Sequence, residues 1–231
     1  MGCVLVTRAE PGASETAARL RTLGHNVIVS PMLVIEPVEA NADVTGFLAL
    51  LFTSANGVHA FARVSAARDI LVFCVGDATG EAASANGFTN VRIAGGDVRA
   101  LTQLISTSRR PEDGALLHIA GADLAGDLVG DLQQEGFTAE RRVFYRATPV
   151  RHLPMPIRND LKSRIDTVLF HSARGCAAFL DAVEKDAPLQ RIAALCLSEA
   201  IAGVARARNW RAVVVAQQPR EDALLKLLVE N

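Results

Sequence analysis

Phe52-Thr53-Ser54-Ala55-Asn56-Gly57-Val58-His59-Ala60-Phe61 returns 118 residues later as Phe170-His171-Ser172-Ala173-Arg174-Gly175-Cys176-Ala177-Ala178-Phe179. The phenylalanines, the serine, the first alanine, the glycine and the alanine before the second phenylalanine are identical in the two copies. Each copy leaves an apolar run, Leu48 to Phe52 or Val168 to Phe170, and passes through a small polar turn into apolar residues spaced by three and four. That is a strand, a turn and a helix, and it occurs twice.

The repeat extends outward from this unit. A shift of 122 lays Cys74 and Ala78 on Cys196 and Ala200, so the next strand and turn recur. A shift of 112 lays Leu5, Leu20, Gly24, Pro37 and Val38 on Leu117, Leu132, Gly136, Pro149 and Val150. The repeat is therefore interleaved: the chain opens one lobe, builds a second, and returns after Pro149 to finish the first. The expected division is an outer lobe of residues 1–36 and 150–231 and an inserted lobe of residues 40–143. Between them, 32–39 and 142–149 are expected as two antiparallel linker strands forming a hinge, since Met32 to Pro37 and Arg142 to Pro149 are rich in β-branched or aromatic residues and end in proline.

Short apolar runs alternate with helical patterns along the whole chain. The runs are Val4 to Val6, Val27 to Ser30, Leu48 to Phe52, Leu71 to Val75, Val91 to Ala94, Leu116 to Ile119, Val168 to Phe170, Ala194 to Leu197 and Ala212 to Ala216. Helical spacing marks Ser14 to Leu23, Val58 to Val64, Leu124 to Glu135 and Glu221 to Val229. The alternation predicts the α/β class, with two parallel-sheet lobes covered by helices.

Composition narrows the function classes. Half of the 231 residues are hydrophobic and 21% are charged, yet no apolar run approaches the roughly 18 residues of a membrane span. The first residues read directly as a strand, without the features of a secretory signal, so the cytoplasm is expected. Cys3, Cys74, Cys176 and Cys196 stand apart in apolar stretches, which predicts buried thiols and neither a disulfide framework nor a metal site. His25, His59, His118, His152 and His171 have no metal spacing and are expected at the surface or supporting other residues. A net charge of −1 favours neither nucleic acid nor an anionic membrane. Residues 40–143 carry 8 basic against 12 acidic side chains, a charge of −4, and the remainder carries 16 against 13, a charge of +3. No Gly-x-Gly-x-x-Gly or Walker loop follows a strand, so a nucleotide-binding α/β protein is not indicated.

Ligands of open α/β sheets bind beyond the carboxyl ends of the strands. The turns expected there hold Thr7 and Arg8; Thr53, Ser54, Ala55, Asn56 and Gly57; Gly76 and Thr79; Gly121; Ser172, Ala173 and Arg174; and Ser198. Small hydroxyls and backbone N–H groups at helix N-termini suit carboxylates, because the unpaired amides and the helix dipole favour anions. Arg8 could pair with a carboxylate through its planar fork or sit solvated at the lobe surface. Thr53, Ser54 and Ser172 are equally the residues preferred as N-caps, so capping alone would also account for them.

Val6-Thr7-Arg8 after the first strand, Phe52 to Val58, Val75-Gly76-Asp77-Ala78-Thr79, and Val143-Phe144-Tyr145 before Pro149 resemble, in order, spacing and duplication, the uroporphyrinogen-III synthase family. The match runs over essentially the whole chain. The resemblance implies two flavodoxin-like lobes on a two-stranded linker, the first discontinuous. It also implies a cleft between the lobes that binds hydroxymethylbilane, a polycarboxylate, and closes it to uroporphyrinogen III with one ring inverted and water lost. It implies no metal and no organic cofactor, no nucleic acid or membrane partner, transient contact with the preceding pathway enzyme, and a monomer. Tyr145, the only tyrosine, is by resemblance the catalytic proton donor. A linker aromatic packing between lobes is the other account of it. Relatives usually carry Gly-Pro-x-Thr where this chain has Ser198-Glu199-Ala200-Ile201, a smaller residue in place of Arg174, and an arginine near Ala120-Gly121-Ala122. A two-lobed binding or regulatory relative that has lost activity is the alternative these departures raise.

Overall fold

A computed structural model of the chain describes residues 2–123 and 126–228. In chain order the first half runs β1 (Cys3–Val6), α1 (Gly12–Thr22), β2 (Asn26–Val29), β3 (Leu33–Pro37), β4 (Phe47–Phe52), α2 (Ala55–Ala62), β5 (Leu71–Cys74), α3 (Asp77–Ala85), β6 (Val91–Ile93) and α4 (Val98–Ser108). The second half runs β7 (Ala115–Gly121), α5 (Leu128–Gln134), β8 (Ala139–Pro149), α6 (Met155–Ser163), β9 (Ile165–Phe170), α7 (Ala173–Ala182), β10 (Ala193–Cys196), α8 (Glu199–Ala205), β11 (Ala212–Val215) and α9 (Glu221–Lys226). Of the segments with helical spacing, the one beginning at Leu124 starts outside the described residues, as the one ending at Val229 finishes outside them.

The chain divides into two compact units, Met1–Ile35 with Thr148–Asn231, and Glu36–Ala147. In the first, the strands lie in the order β11-β10-β9-β1-β2 and every pairing is parallel. Counted by appearance within the unit this is the flavodoxin order 2-1-3-4-5. The other sheet has the order β3-β8-β7-β4-β5-β6, parallel from β8 to β6. It becomes the same order when β7 and β8 are taken first and β4, β5 and β6 after them. The second lobe is a circular permutation of the first, which is what an interleaved duplication produces. The first half of the chain supplies β1 and β2 to one sheet and β3 to β6 to the other, and the second half supplies β9 to β11 to the former and β7 and β8 to the latter.

The strand sequences show why both sheets bury two faces. Residues alternate across a strand, and in the first lobe Leu5, Val168, Phe170, Ala194 and Cys196 enter one core while Val4, Val6, Leu169, Ala193 and Leu195 enter the other. In the second lobe Ala49, Leu51, Leu71, Phe73 and Leu116 pack on one side, and Leu50, Phe52, Val72, Cys74, Leu117 and Ile119 on the other. Continuous apolar runs are thus required, as in any parallel sheet covered on both sides. The duplicated phenylalanines make the same edge-on contact in each lobe: Phe52 to Phe61 at 6.2 Å and Phe170 to Phe179 at 5.5 Å, both at 65°.

The crossing segments differ from the expectation in one respect. Arg142 to Pro149 is the continuation of the eleven-residue β8, whose first part, from Ala139, pairs in parallel with β7. The cause is local: Ala139 and Phe144 are buried and Val143 half-buried, so the segment is already sheet before it leaves the lobe. The N–H of Val38 donates to the Phe144 carbonyl (2.9 Å) and that of Val150 to the Met32 carbonyl (3.0 Å), one number rising as the other falls, an antiparallel register.

All four cysteines are buried free thiols, and burial pushes Cys74, Cys176 and Cys196 up to about 12. Among the described residues no helix is long and apolar enough to cross a membrane. Nor does any group of three or more His, Cys, Asp or Glu among them have the arrangement to hold a metal ion.

Candidate active site

The strand order reverses between β4 and β7 in the second lobe and between β1 and β9 in the first; most candidate residues lie at the carboxyl ends of these strands, with Gly76 and Thr79 after β5, Ser198 after β10 and Tyr145 within β8. In the second lobe Ser54 is the N-cap of α2, its Oγ accepting from the Asn56 N–H (3.1 Å). Ala55 and Asn56 form the half-buried first turn. Gly57 is buried, and a Cβ there would lie 2.9 Å from the Ile119 carbonyl oxygen, so glycine is needed for α2 to rest on β7. Thr53 caps nothing; its Oγ1 shares a hydrogen bond of 3.1 Å with His118 Nε2. Gly76 is the extended N-cap residue of α3, its carbonyl accepting from Thr79 and Gly80, and Thr79 is buried within that helix.

Tyr145 lies on β8 opposite Gly121, just where the β7–β8 register shifts. Its residue is 9% exposed. A Cβ on Gly121 would meet the ring at 2.8 Å (Cζ) and 2.9 Å (Cε2) and the hydroxyl at 3.1 Å, so the phenol lies directly on the Gly121 backbone. The Tyr145 carbonyl accepts from the Ala122 N–H (2.8 Å). Arg141, on the same strand, donates to the Gly121 and Ala122 carbonyls, each at 2.9 Å. His118 is 1% exposed, and burial, with the Arg141 charge adding to it, pushes its imidazole down to about 4. At neutral pH it is therefore an uncharged support for Thr53.

In the first lobe Thr7 is buried and its hydroxyl donates to the Leu169 carbonyl (2.7 Å), clipping β1 to β9 instead of facing solvent. Ser172 is the N-cap of α7, accepting from the Gly175 N–H (3.0 Å), with Ala173 and Arg174 in the half-buried first turn. Ser198 holds the N-cap position of α8, yet its hydroxyl makes no capping bond. Removing the Ser172 hydroxyl as Ser172→Ala should cost about 1 kcal/mol in urea unfolding, the usual value of a cap. If the hydroxyl only caps, affinity for a bound ligand stays unchanged in the same variant; weakened binding would show that it also reaches ligand.

A further cluster converges on Glu221, the first residue of α9. Its Oε1 accepts from the Thr16 hydroxyl (2.6 Å), and its Oε2 faces His171 Nε2 (2.8 Å) and the Arg8 guanidinium (3.5 Å). The Arg8, Glu221 and His171 side chains are 23%, 12% and 7% exposed. Burial pushes the Glu221 carboxyl up, but His171, Thr16 and Arg8 outweigh it and bring it down to about 2. Neither Glu221, His118 nor Arg141 is singled out by the sequence, and His171 is no surface residue. The one local signal is that His171 occupies the repeat position of Thr53.

The topology and these turns define a two-lobed, duplicated α/β protein whose strand carboxyl ends offer helix N-termini, a half-buried cation–carboxylate cluster and one phenol. The family model described as uroporphyrinogen-III synthase HemD matches residues 14–226. The chain belongs to the uroporphyrinogen-III synthase family. It is similar to the porphyrin biosynthesis protein HemD of Ruminiclostridium josui, with 24% identity over 249 residues, 98% of this chain and 48% of the relative. The chain thus spans about half the length of the curated relative it matches. Its fold is similar to that of the uroporphyrinogen-III synthetase of Helicobacter pylori (TM-score 0.65, 18% identity, 100% and 99% of the two chains). It is also similar to that of a mutant uroporphyrinogen III synthase of Thermus thermophilus (TM-score 0.60, 16% identity, 100% and 98%).

Proposed function

We propose that this chain is a uroporphyrinogen-III synthase that cyclises hydroxymethylbilane to uroporphyrinogen III, inverting ring D and releasing water, in tetrapyrrole and heme synthesis. The observation that carries the reading is the family match over residues 14–226, which includes Tyr145 on its Gly121 seat. The conversion is a loss of water with no net oxidation, so acid–base groups and positioning suffice for it.

Tyr145 donates its phenolic proton to the departing hydroxyl, which leaves as water. A phenol suits this task because its ordinary pKa, about 10, keeps it protonated at neutral pH. The phenolate recovers a proton when the pyrrole that has formed the closing bond loses one and regains its aromaticity. Helix N-termini at Ser54, Gly76, Ser172 and Ser198 offer backbone N–H groups to the carboxylates of the bilane, and Arg8 offers a fork-shaped cation. Holding a flexible chain with its reactive ends together removes the orientational freedom that otherwise permits direct closure. The same reading places the protein in the cytoplasm as a monomer that takes its bilane in transient contact with the preceding enzyme.

The test is to supply enzymatically generated hydroxymethylbilane, oxidise the products and separate the porphyrin isomers. Predominantly type III product is expected. Type I alone, at the spontaneous rate, would overturn the enzyme reading and leave a two-lobed binding relative.

A further inference from the structure

We propose that Arg141 is a positioning residue for Tyr145, acting through the carboxyl end of β7. The inference rests on the reading of Tyr145 as the proton donor and extends it to a residue with no place in the turns of the site. Arg141 and Tyr145 are four residues apart on β8, on either side of the point where its register with β7 shifts. Between them lies the end of β7. One guanidinium nitrogen of Arg141 holds both the Gly121 and the Ala122 carbonyl oxygens at 2.9 Å. The Ala122 N–H in turn holds the Tyr145 carbonyl at 2.8 Å, and the Tyr145 ring rests on Gly121.

The ladder shifts register between Ala120 and Gly121, and past the shift the Ala122 N–H bond to the Tyr145 carbonyl holds the amide side of the last peptide but leaves the carbonyl side to other groups. A charge-assisted bond to two successive carbonyls ties that side. Without it the Gly121–Ala122 peptide keeps only its N–H bond to Tyr145, and the carbonyl side, with the surface on which the phenol lies, loses its tie. Arg141 touches this end of the strand without touching the reacting atoms, which makes it a support and not a catalytic group. Lysine keeps the charge but replaces the planar, fixed N–H pair of that one nitrogen with a freely rotating ammonium on a flexible stem, and would hold the two carbonyls less well.

The experiment compares Arg141→Met and Arg141→Lys with Tyr145→Phe and with the double variant Arg141→Met/Tyr145→Phe. Type III formation is measured alongside thermal unfolding. Because the chain has a single tyrosine, tyrosinate absorbance titration reports on Tyr145 alone. Arg141→Met is expected to lower kcat about tenfold with KM little changed, the scale on which small misplacements of catalytic groups act. It is also expected to shift the tyrosine titration, with Arg141→Lys intermediate in both. The double variant should be no slower than Tyr145→Phe. The proposal is overturned if the tyrosine of Arg141→Met titrates as in the unaltered protein, if kcat does not fall, or if the Arg141→Met loss persists in full on the Tyr145→Phe background. Should Tyr145→Phe prove as active as the unaltered protein, the donor reading falls, and the titration alone decides whether Arg141 positions the ring.

Discussion

Tyr145→Phe is expected to slow formation of the type III product by about a hundredfold, the lower end of what a positioned general acid contributes. The hydroxyl is the only atom removed, so the ring keeps its seat on Gly121 and its place in β8. A neutral hydrogen bond lost with it costs about 1 kcal/mol, too little to unfold the lobe. The variant should therefore remain folded, bind the bilane, and let it close at the spontaneous rate to the type I isomer. The ratio of type III to type I porphyrin at matched protein concentration is the measurement. A ratio equal to that of the unaltered protein would remove Tyr145 from the chemistry. A small fall of twofold to fivefold would assign the phenol to binding and leave the selection of isomer to how the chain is held.

The duplication is legible because it is written in side chains that must pack. Phe52 and Phe61 recur as Phe170 and Phe179 because each pair makes the same contact beneath the same strand. The turns are legible for a different reason: Ser54 and Ser172 are read from local helix chemistry, and local helix chemistry is what both hydroxyls turn out to serve. That agreement limits their direct part in ligand contact, and Thr7, whose hydroxyl is bound to Leu169, is limited likewise. Ser198 makes no capping bond, so helix capping does not account for its hydroxyl.

The rest of the site is written across the chain, where no periodicity can carry it. Glu221 lies 205 residues from Thr16 and 50 from His171, and these meet only because β1 and β9, from opposite ends of the sequence, are neighbours in the sheet. Arg141 gives no signal for the same reason, since its partners belong to another strand twenty residues back. The position of Tyr145 is legible, whereas its seat is not: a glycine at residue 121 reads as a turn, and only the ring lying against it shows that the missing Cβ makes room for the phenol.

Glu221→Gln is expected to destabilise the first lobe by about 3 kcal/mol at neutral pH, and to do so less and less as the solution is acidified. The carboxyl is brought from an ordinary 4.5 to about 2 in the folded protein, and each unit of such a change corresponds to about 1.4 kcal/mol. A folded-state pKa below the unfolded one stabilises wherever the unfolded carboxyl is ionised, so the contribution is complete above about pH 4.5 and is lost as pH falls towards about 2. Glutamine can still accept from the Thr16 hydroxyl but carries no charge for Arg8 and His171, which are left half-paired against α1, β9 and α9. Denaturant unfolding of both proteins, from neutral pH down to about pH 2, measures the difference directly. Other carboxyls titrate alike in the two proteins and cancel. A gap that closes across this window identifies the ionised carboxylate as what ties α9 to the strand ends, and a gap that stays constant to low pH would assign the loss to packing instead. The same variant separates the two parts Arg8 can play: with Glu221 neutralised its guanidinium is freed, so a lower KM for the polycarboxylate would mark Arg8 as a ligand cation held in reserve by the protein's own acid, and an unchanged KM would make the pair purely structural.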